Sequence, residues 1–134
     1  IHCVRDPKDN CMSLYKNIFD ENQNWTYNET DLFNYYKNYY DLMNFWKSIM
    51  PNFIYDCKYE EIVNKPNIEI KKLLKFCDLP WEEKCLEFYK SKKAIKTISV
   101  VQARMPLYNS SISSNNNYNL FLKDLFNNLD NFFA

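Results

Sequence analysis

The residues best suited to chemistry in this sequence are Arg5 and Ser13, with Asp6, Pro7 and Asp9 between them. Arginine carries a permanent charge on a planar fork of N–H donors that matches a phosphate, and a serine hydroxyl can donate to the same oxygens. A helix N-terminus adds unpaired backbone N–H groups and a partial positive charge, which favour an anion. The spacing therefore suggests half of a phosphate site. The elements that would position it are a short apolar strand end at Ile1–Val4, a polar turn, and a helix from about Asp9 to Phe19. Pro7 cannot continue a central strand and biases Asp6 away from the helical region, so strand, turn and helix follow one another closely.

Other chemistry is sparse. His2 is the sole histidine, in the strand end, where a packed or edge role is commoner than that of a base. No cluster of metal ligands is visible. The five cysteines, Cys3, Cys11, Cys57, Cys77 and Cys85, are odd in number and form no C-x-x-C pair, which reads as reduced, mostly buried thiols in a cytosolic setting. Seventeen basic and seventeen acidic residues cancel, so no overall field favours nucleic acid or an acidic membrane. No apolar run approaches the roughly 20 residues of a membrane span. The 134 residues suit one modest domain, and 46% hydrophobic with 18% aromatic content is ample for a core. The absence of any glycine excludes a glycine-rich nucleotide loop within the chain.

Along the chain, Asp20–Trp25 reads as a loop and Thr30 as the N-cap of a long helix from Asp31 to about Met50, stopped by Pro51. Its apolar positions Leu32, Phe33, Tyr36, Tyr39, Tyr40, Met43, Trp46 and Ile49 recur at helical steps and read as a core stripe. Phe53–Tyr59 is the best strand, aromatic and β-branched with rough alternation, followed by a short helix over Glu60–Val63. Asn67–Cys77 is an amphipathic helix with a lysine-rich wet face, and another helix follows through Cys85, Leu86 and Phe88. Lys96–Tyr108, interrupted by Pro106, reads as a surface loop, and Tyr118–Ala134 as a closing amphipathic helix.

Several ordered segments resemble sulfotransferases that use 3′-phosphoadenylyl sulfate, in particular the bacterial enzymes often fused to tetratricopeptide repeats and their tyrosylprotein sulfotransferase relatives. Arg5-Asp6-Pro7-x-Asp9-x-x-x-Ser13-x-Tyr15 resembles the family's 3′-phosphate-binding segment. Tyr39-x-x-Leu42-Met43-x-x-Trp46 is similar to a packing helix of the same branch, and Leu79-x-Trp81-x-x-x-Cys85-Leu86-x-Phe88 to a second packing segment. Tyr59-Glu60-x-Ile62-Val63-x-x-Pro66 resembles a segment whose tyrosine lies against the nucleotide. Thr97-x-Ser99-x-x-Gln102-Ala103-Arg104-x-Pro106-Leu107-Tyr108 resembles the segment that closes over the cofactor. The resemblance therefore implies Arg5, Ser13, Tyr59, Ser99, Gln102 and Arg104 as cofactor-binding residues. Without it, Tyr59 reads as a core-edge tyrosine. Ser111-Ile112 still fits, but Ser113–Asn117 stands where the branch carries a glycine, a basic residue and a tryptophan, which would lower affinity for the phosphates.

The fold implied is α/β, the P-loop-like three-layer sulfotransferase architecture, here as a mostly helical C-terminal portion of one domain over 1–134 with a few parallel strands. The phosphosulfate loop and the catalytic base would lie upstream of Ile1. The implied reaction moves a sulfuryl group from 3′-phosphoadenylyl sulfate to an acceptor hydroxyl or amine, leaving adenosine 3′,5′-bisphosphate and needing no metal. The acceptor could be a protein tyrosine, a carbohydrate or a small molecule, and a bacterial protein of this kind would be cytoplasmic. Two other classes stay open: a non-catalytic helical interaction module derived from a sulfotransferase, and a phosphoryl-transfer enzyme of the P-loop type.

Overall fold

A computed structural model describes residues 1–19, 23–94 and 101–134 and, at Gln102, the backbone alone. They form two compact units, one of Ile1–Val4 with Tyr55–Ser110, the other of Arg5–Ile54 with Ser111–Ala134. Helix predominates, and the described strands make one two-stranded parallel sheet, compatible with an α/β class. Among the described residues, no helix is long and apolar enough to cross a membrane.

The first unit is built on β1 (His2–Val4) and β2 (Asp56–Lys58), paired in the register His2–Asp56, Cys3–Cys57 and Val4–Lys58. The strand expected over Phe53–Tyr59 is shorter because its described partner offers only three residues. Phe53 is 71% exposed, and Tyr59 already opens the next helix, α3 (Tyr59–Asn64). His2 is an edge histidine whose Nδ1 lies 2.7 Å from Asp56 Oδ1. Helix α4 (Pro66–Phe76) uses Pro66 at its first turn, where the missing N–H costs nothing. It ends in two backward bonds, Leu79 N–H to Leu74 O and Asp78 N–H to Lys75 O, with Asp78 at φ 53°. This helix-ending motif ordinarily takes glycine, and a chain without glycine falls back on aspartate. The helix expected through Cys85 and Phe88 is instead a run of tighter 3₁₀ turns, Glu83–Lys90, kinked at Glu87. Lys71 of the expected wet face lies over the Trp81 ring at 4.9 Å.

The second unit packs α1 (Pro7–Lys16), α2 (Glu29–Ile49) and α5 (Lys123–Phe133) around Cys11, Met12, Leu32, Tyr36, Leu122, Leu125, Phe126 and Leu129. Helix α2 starts earlier than expected because Asn28, not Thr30, is the cap: its side chain accepts the Asp31 N–H at 3.1 Å. Only its first half is core. Leu32 and Tyr36 are buried, whereas Trp46 and Ile49 are 38% and 52% exposed, so the expected core stripe stops midway. Helix α5 begins at Lys123 rather than Tyr118, after 3₁₀ turns over Ser114–Tyr118 and a turn in which Tyr118 O receives the N–H groups of Phe121 and Leu122. Leu120 and Phe121, expected on the helix's apolar face, are therefore 90% and 78% exposed. Having no capping side chain of its own, α5 takes one from α2: Glu29 Oε2 accepts the Leu125 N–H at 3.1 Å.

Candidate functional site

Helix α1 begins two residues before the expected start because Asp6 caps it and Pro7 occupies its first position. The Asp6 carboxylate accepts the Asp9 N–H at 2.8 Å and the Asp6 carbonyl accepts the Asn10 N–H at 2.9 Å, while Pro7 has no N–H. The helix N-terminus is thus largely closed by its own cap. The expectation that bare first-turn amides would receive an anion is corrected: recognition by this segment falls to side chains.

Those side chains are organised around a residue that sequence reasoning passed over. Asp9 is completely buried, with Asn115 N–H and Asn115 Nδ2 both donating at 2.8 Å, Ser113 N–H at 2.7 Å and Ser114 Oγ at 3.3 Å. Arg5 Nη2 lies 4.0 Å from Asp9 Oδ2 and donates to the Ser111 carbonyl at 2.7 Å. Burial pushes the Asp9 carboxyl up. The Asn115 backbone and side-chain bonds, the Ser113 amide and the Arg5 charge outweigh that and hold it below its ordinary value. Residues 111–115 are consequently latched onto α1. The Ser113–Asn117 departure, expected only as the loss of a basic residue, has a positive role in supplying the donors. Ser113 takes a left-handed backbone there, φ 57°, where a glycine would be unstrained.

Ser13 lies one turn beyond Asp9 on the same helix, since side chains four apart share a face. It is half-buried, its carbonyl accepts from Asn17 Nδ2 at 2.6 Å, and its hydroxyl makes no hydrogen bond among the described residues. The Arg5 side chain is 22% exposed, and the Ser111 bond fixes the plane of its guanidinium. Arg5, just ahead of α1, and Ser13, on it, thus stand four residues before and four after the enclosed Asp9 carboxylate.

The other expected site residues belong to the first unit. Tyr59 is half-buried as the first residue of α3. Arg104 is half-buried and its guanidinium donates to the Lys93 carbonyl. Gln102 opens a 3₁₀ turn, Gln102–Arg104, and its side chain lies outside the described residues, as does Ser99 altogether. Among the described residues, no group of three or more His, Cys, Asp or Glu could hold a metal. The sequence signal for Asp9 was local only: it stands at the third helical position after a capping Asp6, four residues from Arg5, and its distant donors left no mark there.

With this geometry in view, comparison with known proteins places the chain in a class: it belongs to the sulfotransferase family, whose model matches residues 1–83. That match includes Arg5, Ser13 and Tyr59 and stops before Ser99, Gln102 and Arg104. An uncharacterized protein of Aquifex aeolicus (strain VF5) is 38% identical over 81 residues, covering 60% of this chain. The aligned stretch is 11% of that relative's length, so the chain spans about a tenth of it. No solved structure matches the chain.

Proposed function

We propose that this chain is the C-terminal part of a sulfotransferase domain of the P-loop-like three-layer kind, and that it holds the 3′-phosphate of 3′-phosphoadenylyl sulfate. The observation that carries the reading is Arg5 just ahead of α1 with Ser13 on the helix, the guanidinium oriented by Ser111 and the helix held through Asp9. Membership of the family supports it. When bound, the donor supplies a sulfuryl group for in-line transfer to an acceptor hydroxyl or amine, on a protein tyrosine, a carbohydrate or a small molecule. Arg5 binds and neutralises the 3′-phosphate with charge-assisted hydrogen bonds, and Ser13 orients it with a neutral one. The residues fit the group in kind: Arg5 offers a charged planar fork, Ser13 an uncommitted hydroxyl, and the donors around Asp9 compensate the one nearby carboxylate. The resemblance to the family supports Tyr59, Ser99, Gln102 and Arg104 as further cofactor-binding residues, Tyr59 for the nucleotide and Ser99 for its phosphates. The catalytic base and the phosphosulfate loop belong to the remainder of the domain.

The test is calorimetric titration of the full chain with adenosine 3′,5′-bisphosphate and with 5′-AMP. The bisphosphate binds more tightly, Arg5→Ala weakens it by about 1.5–3 kcal/mol and Ser13→Ala by about 1 kcal/mol. Arg5→Lys restores only part of the loss, since an ammonium lacks the planar fork. Equal affinity for both nucleotides by the folded chain would overturn the 3′-phosphate assignment. A second reading, a non-catalytic interaction module, draws on the exposed Leu42, Phe45, Trp46 and Ile49 of α2 and would be favoured by that result.

A further inference from the structure

A cavity of about 520 Å³ lies in the second unit between the C-terminal half of α1 and the turn before α5, lined by Met12, Tyr15, Lys16, Tyr118, Phe121 and Leu122. We propose that it binds a flat aromatic molecule carrying one anionic group, at a site separate from the 3′-phosphate contacts. Its volume is that of a small-molecule pocket, and its walls follow the pattern of such sites, mostly apolar with a few polar tips.

Three observations support the assignment. The walls carry three aromatic rings, Tyr15, Tyr118 and Phe121, which favour offset or edge-on contact with another ring. Phe121 is 78% exposed, yet its backbone is held by the Tyr118 carbonyl at 2.9 Å, so the turn itself, not fraying, presents the ring. Uncovered, that ring leaves apolar surface in water that a ligand would remove. The polar tips are also uncommitted: Lys16 Nζ, Tyr15 Oη and Tyr118 Oη make no hydrogen bond or ion pair among the described residues. The lining holds one cation and no carboxylate, so the complementary ligand is an anion.

Met12, Tyr15 and Lys16 share a face of α1 by their three- and four-residue spacing, and Lys16 follows Ser13 by three. Neither Arg5 nor Ser13 lines the cavity, and the inference stands independently of the nucleotide reading.

The experiment titrates the full chain with naphthoate and with its neutral isostere naphthamide. Both bind saturably, and the carboxylate binds about fivefold more tightly, as expected for an exposed ion pair. Lys16→Met abolishes that preference and Lys16→Arg keeps it. Phe121→Ser weakens both ligands by about tenfold through the lost ring contact. Lys16 and Phe121 are outside the buried core, and circular dichroism verifies that each variant is folded. The proposal is overturned if neither compound saturates, if Lys16→Met leaves the preference intact, or if Phe121→Ser binds both like the parent. Displacement of naphthoate by adenosine 3′,5′-bisphosphate would overturn the claim that the two sites are separate.

Discussion

Replacing Asp9 with alanine tests the latch on which the site depends. The substitution removes the acceptor of Ser113 N–H, Asn115 N–H and Asn115 Nδ2, and Asn115 is only 8% exposed. Each buried donor left without a partner costs about 1–3 kcal/mol. Ser113 can turn toward water and Asn115 Nδ2 keeps a longer 3.4 Å bond to Asp6 Oδ1, so the Asn115 backbone donor dominates and the loss comes to about 2–4 kcal/mol. Against the roughly 5–15 kcal/mol that holds a small protein folded, this is a large share. Urea unfolding followed by tryptophan fluorescence measures it: the midpoint falls with little change in slope, and exchange protection at the Asn115 amide disappears. A loss below about 1 kcal/mol, with that amide still protected, would refute the reasoning.

Acid provides the companion measurement. Because the folded carboxyl titrates below its ordinary value of 3.8, the unfolded chain binds the proton more readily. The stability Asp9 contributes is complete above about pH 5 and is lost as pH falls through the unfolded and then the folded value. Asp9→Asn, which cannot titrate, starts less stable and loses less between pH 5 and pH 3.

Two further outcomes follow from the core. Burial and, secondarily, the Asp6 charge push the Cys11 thiol up to about 12, so at pH 8 a disulfide reagent modifies exposed Cys3 while Cys11 reacts only after unfolding, which peptide mass mapping resolves. Leu125→Ala, at a fully buried position, costs about 2–5 kcal/mol in urea unfolding. Leu120→Ala, 90% exposed, changes stability by no more than about 0.5 kcal/mol.

What the sequence determined by itself is local or carried by short motifs. Pro7 and Pro66 mark first turns because their fixed φ suits a helix start, and the apolar periodicity of Asn67–Cys77 found α4 to within a residue. Arg5 and Ser13 were legible as a pair because they stand eight residues apart in one short turn-and-helix segment, and the ordered segments were enough to indicate the family. Tertiary structure decided the rest, wherever the deciding partner is distant in sequence. Periodicity cannot say that α2 loses its cover halfway, because that depends on where its neighbours end. The length of β2 was set by β1, and the start of α5 is capped by a glutamate from α2. Asp9 looked like an ordinary first-turn acid. Only the approach of Ser113–Asn115, more than a hundred residues on, gives it enough donors to stay ionised while buried. A buried charge persists only where the fold supplies its hydrogen bonds, and no local pattern records which distant backbone amides will do so.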